Sequence, residues 1–183
     1  MKFIIATIIA LLPLTAFAAT VAEQRASIHQ MEVNTLAKLY EKQPTARQEV
    51  QSAVGYAVFT NGSLALLWVS GGYGHGVAHD NKTGENTFMQ MASAGVGLGL
   101  GVKDYNTVFI FNNAKAFEDF KNNGLDMSAH ADAAAKLEEK GDAAGGAANV
   151  LPGVRIYQLT DSGLMAQAML QGTKYWRDDD LNK

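Results

Sequence analysis

Ala94 to Asn112 reads AGVGLGLGVKDYNTVFIFN, with Gly95, Gly97, Gly99 and Gly101 alternating with Val96, Leu98, Leu100 and Val102. A strand sends successive side chains to opposite faces, so one face of this segment carries none. Glycine costs a strand roughly 0.5–1 kcal/mol relative to alanine, and four in alternation call for a close neighbour on the bare face. A packed protein segment or a ligand meets that need equally well. Lys103 to Asn106 reads as a turn and Thr107 to Phe111 as a fully buried strand, which makes the stretch a hairpin at the centre of a β-rich domain.

Working towards the N-terminus, the period stays at two as far as Val54. Asn86 to Met91 reads as a strand, and Asn81-Lys82-Thr83-Gly84 as the turn before it. Val77 to His79 and Leu64 to Ser70 read as strands flanking a glycine loop, Gly71-Gly72-Tyr73-Gly74-His75-Gly76. Asn61-Gly62 is a tight-turn signal closing the strand Val54 to Thr60. Upstream the period becomes helical: Ile28, Met31, Leu36, Leu39 and Tyr40 mark an amphipathic helix from Glu23 to Lys42, stopped by Pro44. Thr45-Ala-Arg-Gln48 reads as a capping box opening a second helix to about Ala53.

On the other side, Asn112-Asn113 caps a short helix, Ala114 to Lys121, ended by Asn122-Asn123-Gly124. Leu125 to Ala135 fits strand by alternation and helix by composition. Arg155 to Thr160 and Leu164 to Leu170 form a last hairpin around Asp161-Ser162-Gly163, and Tyr175 to Lys183 is a polar, acidic tail. The expected fold is α+β: one domain with an antiparallel core of about eight strands, covered by the N-terminal helix and short helices.

Residues 1–18 have the pattern of a secretory signal. Lys2 supplies the positive start, Phe3 to Leu14 the apolar run, and Ala16-Phe17-Ala18 the small-residue cleavage site. The implied organisation is signal 1–18, helical segment 19–53 and β-rich remainder 54–183, with cleavage near Ala18/Ala19 and a periplasmic or secreted product. There is no cysteine among the 183 residues, which excludes disulfides, thiol catalysis and a lipidated cysteine. A formal charge of −3, more negative once Lys2 leaves, argues against bulk attraction to nucleic acid.

Catalytic signals are weak. The runs Gly72–Gly76 and Gly95–Gly101 lack the strand-then-helix context of a nucleotide loop, and no G-K-[ST] occurs. No serine lies in G-x-S-x-G. His75 and His79, four apart beside Asp80, could share a face with His130 and Asp132, but a catalytic metal wants three supported ligands. Glu138-Glu139 and Asp178 to Asp180 read as solvated charge. Trp176, near the end of the chain, is the aromatic that fits either a bilayer interface or the closing of the sheet.

At Val69 to Val77, VSGGYGHGV, the sequence resembles the SYLF domain family, which carries a Gly-Gly-x-Tyr-Gly-x-Gly-type stretch after a short apolar strand. Ser93 to Gly101, Thr107 to Asn113 and Ala114 to Phe120 match its glycine strand, apolar strand and short helix in order. Asp126 to Ala135, Tyr157 to Gly172 and Asp178 to Asn182 match later motifs. Lys136 to Lys140 stands where the family often has G-P-V-G-R, and Phe88 where it often has Trp. The resemblance implies lipid binding without catalysis or cofactor. Eukaryotic members attach to phosphoinositide-rich membranes, some also contact actin, and bacterial members are exported.

The expected function is therefore that of an exported, non-enzymatic domain binding anionic phospholipid at the cell envelope. The expected contacts are Arg25, Lys38, Lys42 and Arg47 from the helices with Tyr73 and His75 from the glycine loop. The alternatives are a structural or protein-interaction module of the envelope docking a protein partner, and a metal enzyme built on His75, His79 and Asp80.

Overall fold

Thr20 and Glu23 cap each other at the head of the first helix: the Glu23 amide donates to Thr20 Oγ1 at 3.2 Å, and the Thr20 amide donates to Glu23 Oε2 at 2.7 Å. The capping box thus opens α1 (Val21–Lys42). The second helix, α2 (Thr45–Ser52), begins after Pro44 with no side-chain cap, contrary to the expectation for Thr45. The computed structural model describes residues 19–66, 69–96, 105–127, 147–160, 163–164 and 172–183. The proposed signal at 1–18, Gly97–Gly101, His130, Asp132 and the segment 165–171 lie outside the described residues.

The strands are β1 (Gly55–Leu66), β2 (Val69–Asp80), β3 (Asn86–Val96), β4 (Tyr105–Phe111), β5 (Leu125–Asp126), β6 (Ala147–Leu151), β7 (Val154–Thr160), β8 (Gly163–Leu164) and β9 (Thr173–Arg177). They form one curled antiparallel sheet in the order β5-β9-β3-β2-β1-β4-β7-β6, with β8 added to β7. A third helix, α3 (Ala114–Asn123), starts at the Asn113 side-chain cap and ends at Gly124, whose φ is 73°.

Three local expectations are corrected by this topology. Asn61-Gly62 is no turn: Asn61 pairs with Gly74 and Gly62 with Tyr73 inside a long hairpin that closes between Leu66 and Val69. The glycine loop is strand, because Gly71 to Gly76 is paired with β1 on one side and β3 on the other. The central hairpin is also absent, since β4 lies between β1 and β7 while β3 lies between β2 and β9. Pairing along a twelve-residue hairpin outweighs a two-residue turn signal.

The bare face expected at Gly95 to Gly101 falls largely outside the described residues, but β2 presents one of its own at Gly72, Gly74 and Gly76. A Cβ on Gly76 would strike the Val58 carbonyl and the Phe59 ring, and one on Gly74 would strike the Thr60 carbonyl. Close approach of β1 therefore accounts for both. On the same inner face lie Ala57, Phe59, Ala78, Met89, Met91, Phe109, Phe111, Ile156 and Tyr175, closed at one end by Phe117 and Phe120 of α3. Tyr175 packs on Phe59 and Phe109 at centroid distances of 4.7 and 5.0 Å.

On the outer face, α1 and α2 cover β1, β4 and β7 through Leu39, Ala46, Val50, Val58, Val108, Ile110 and Leu159. Polar clamps fix both helices. Tyr56 donates to Glu32 of α1 at 2.8 Å, with His29 Nδ1 3.0 Å from the other carboxylate oxygen. Arg155 and Tyr157 of β7 donate to Glu49 of α2 at 2.7 and 2.9 Å. Burial and that carboxylate together push the Tyr157 phenol up to about 12.

Candidate functional site

The first turns of α1 cover Val77 of β2 and Phe88 of β3 through Ile28, and beyond them the outer face of β2, β3 and β9 is left open. Register sets the side chains there in two rows: Tyr73 opposite Ala92 opposite Lys174, and His75 opposite Gln90 opposite Trp176. Tyr73 is 58% exposed and Trp176 36%, two of the few large apolar side chains on the surface among the described residues. Lys174, at the end of Tyr73's row and two residues from Trp176, is exposed and holds among the described residues a solvent-facing ion pair of 2.9 Å to Asp126. Such a pair is worth about 0–1 kcal/mol, so the ammonium exchanges partners at little cost.

His75 sits half-buried in this face, and burial pushes its imidazole below the ordinary value, opposed by the charge of Asp178. That carboxylate is drawn inward: it accepts from Gln90 Nε2 at 2.6 Å and from the amides of Asp180 and Leu181 at 3.0 Å. The face thus combines two amphipathic aromatics, a mobile cation and a histidine neutral at pH 7. This is the composition that suits a water–lipid boundary, where aromatic rings lie at headgroup depth and lysine stems follow apolar surface.

The cations expected from the helices are not gathered at this face. Arg25 is engaged in structure, donating to the carbonyls of Leu181 and Lys183 at 2.9 Å each, with its guanidinium 5.5 Å above the Phe88 ring. Lys38 is half-buried and engaged. Lys42 is exposed and pairs with Glu41 at 3.0 Å, and Arg47 is exposed over the Tyr40 ring at 4.5 Å. The rise along α1 puts Lys42 roughly 26 Å from Arg25, so these groups form no single cluster. Of the six expected contacts, Tyr73 and His75 share one surface.

Lys174 does not stand out in the sequence, because it adjoins the stretch Tyr175 to Lys183 that reads as a polar tail and its strand pairing comes from a partner more than eighty residues away. Alternation of Lys174 and Trp176 against Thr173 and Tyr175 was the signal available. His79 lies on the same side of β2 as His75 but under α1, stacked on Tyr56 at 5.1 Å, with Nδ1 2.7 Å from Asn86. Asp80 turns away to bond the amides of Lys82 and Thr83 at 2.8 and 2.9 Å. Among the described residues no group of three potential ligands comes together.

Residues 92–183, half of the chain, match the family described as Ysc84, Las17-binding protein actin regulator. Over 164 residues the chain is 34% identical to beta cell expansion factor A of Aeromonas veronii, an alignment covering 90% of this chain and 61% of that protein. The chain therefore spans less than two thirds of that relative's length. With the match reaching from β3 through the C-terminal strand, the chain belongs to the Ysc84 (SYLF) family.

Proposed function

We propose that this domain binds the anionic phospholipid surface of a membrane through the open β2–β3–β9 face, as an exported, non-enzymatic protein of the cell envelope. The observation that carries the reading is the exposure of Tyr73 and Trp176 beside Lys174 on one uncovered sheet face. Tyr73 and Trp176 enter the headgroup layer, Lys174 exchanges Asp126 for lipid phosphate, and His75 gains charge as the surface becomes acidic. Membership of the SYLF family supports lipid binding in general. The leader-like sequence of residues 1–18 supports export.

Co-sedimentation of the chain from Ala19 with vesicles tests it. Anionic vesicles should pull the protein down and neutral ones should not, with binding weakened at raised salt. Tyr73→Ala and Trp176→Ala should each lower the bound fraction severalfold. If the protein stays in the supernatant with every vesicle, or if both variants bind like the parent, this face is not a lipid surface. A docking module for an envelope protein then becomes the better reading.

A further inference from the structure

The outer face of β1, β2 and β3 changes character row by row along the strands. Under α1 stand Val58, Val77 and Phe88, and the next row is Thr60, His75 and Gln90, with Trp176 on β9. Then come Gly62, Tyr73, Ala92 and Lys174. Beyond them the register places Leu64, Gly71 and Ala94, and last Leu66, Val69 and Val96. The face thus turns apolar again past the row that carries Lys174. The inner face of the same strand ends differs, with Ser63, Gly72 and Ser93 followed by Ala65, Ser70 and Gly95. Alternation gathers the large apolar residues of this end on the face that α1 leaves open.

These strand ends also outrun their neighbours. Among the described residues β4 pairs with β1 no further than Asn61 and β9 with β3 no further than Ser93, whereas β1 continues to Leu66 and β3 to Val96. Gly62 to Leu66 adds roughly 17 Å at the rise of a strand. The outer side has room, since a Cβ on Gly62 or Gly71 meets nothing nearer than 3.7 Å among the described residues, while one on Gly72, facing inward, strikes the Asn61 amide and Ser93 Oγ. Charge is missing too: no Asp, Glu, Lys or Arg occurs from Val50 to His79 or from Asn86 to Val102. A sheet end kept in water ordinarily carries charge that prevents edge pairing, and this one carries none.

We propose that this end of the outer face is the part of the molecule that enters the acyl boundary of a membrane, with Leu64, Leu66, Val69, Ala94 and Val96 lowermost and the row of Tyr73 and Lys174 level with the lipid phosphates. The proposal rests on lipid binding by the β2–β3–β9 face and adds to it an orientation and a second contact, with hydrocarbon. Tyrosine and lysine bordering an apolar stretch mark a water–lipid boundary, the ring at headgroup depth and the ammonium at the phosphates. From Tyr73 to Val69 is about 13 Å along the strand, so a tilted sheet reaches the roughly 5–10 Å depth of surface-bound amphipathic elements. It goes no deeper. The edges of β1 and β3 are unpaired here among the described residues, and open edges do not occur within the hydrocarbon core.

Because the chain has no cysteine, one introduced thiol takes one dye. Nitrobenzoxadiazole is attached to Leu64→Cys, to Ala94→Cys and, in the turn between β2 and β3 at the opposite end, to Lys82→Cys, each in the chain from Ala19. Each is mixed with vesicles of phosphatidylglycerol and phosphatidylcholine, and the bound fraction is measured by co-sedimentation of the same samples. The dyes at positions 64 and 94 should brighten severalfold and shift to the blue, and the dye at position 82 should stay as in water. Vesicle-bound protein whose dyes at 64 and 94 remain as wet as the one at 82 would overturn the proposal and leave the surface of Tyr73, Trp176 and Lys174 standing. Failure of the parent and all three variants to sediment would remove the lipid reading itself and this proposal with it. As a second measurement, Leu66→Asp should lower the bound fraction severalfold and Leu66→Val should retain it, with the same urea midpoint in both. Equal binding by Leu66→Asp and Leu66→Val would also overturn the proposal.

Discussion

A methyl group on Gly74 would occupy the place of the Thr60 carbonyl oxygen, a backbone atom held by the β1–β2 ladder. Gly74→Ala should therefore cost about 3 kcal/mol, as for other overpacked core sites, read as a lower urea midpoint with unchanged slope. Gly71, three residues earlier on the opposite face, meets among the described residues only the Ser93 carbonyl at 3.7 Å, an ordinary contact, so Gly71→Ala should stay within about 0.5 kcal/mol of the parent. His75 adds a pH dependence. Its folded imidazole is held below the ordinary value by burial, so below about pH 6.5 the unfolded chain takes up the proton more readily. Stability contributed by this residue is complete above that pH and falls as the pH drops towards 5. In His75→Gln the loss between pH 7 and pH 5 should be smaller, measured by urea unfolding at both. The sequence reads Gly71 to Gly76 as a loop, because the backbone that approaches Gly74 and Gly76 is fixed by strand register and not by local sequence.

At the level of elements, the helices were legible because periodicity, Pro44 and the Asn113 cap act over one or two turns, although the cap expected at Thr45 did not form. Strand partners were not. Thr107 to Phe111 is a buried strand as its composition requires, yet its neighbours are β1 and β7, chosen by the packing of Phe109 and Phe111 against α3 and not by proximity to β3. The buried acid on α1 was equally hidden, since nothing near Glu32 in the sequence marks it as buried until Tyr56 is placed beneath it. Tyr56→Phe should leave that oxygen buried without a donor and cost about 1–3 kcal/mol. Glu32→Gln combined with Tyr56→Phe should cost less than the sum of the single changes, a coupling that a double-mutant cycle on unfolding free energies would measure.

For the whole molecule, the outer and inner faces of one sheet present opposite chemistries, and the proposed lipid surface separates into two contributions. Trp176 contributes apolar area, whose effect is insensitive to salt; Lys174 contributes charge, screened within roughly 8 Å at physiological ionic strength. Trp176→Ala should thus lower vesicle binding equally at low and raised salt, whereas Lys174→Ala should lower it chiefly at low salt and flatten the salt dependence. Equal salt dependence in both variants would contradict the division. Part of this surface was readable from the chain: Tyr73, His75 and Trp176 stood out as residues. Their assembly was not, because His75 meets Trp176 only through Gln90, across three strands.

Arg25, in the first helix, is held by the carbonyl of Leu181, 156 residues later. At about 5–20 residues per second, a ribosome needs roughly 8–31 s to deliver the second after the first. Throughout that interval Phe88 also lacks the Asn182 side chain that bonds both its amide and its carbonyl. The nascent chain consequently has a head without its clasp until residues 181 and 182 emerge, so the docking of the first turns of α1 onto β3 comes late in folding.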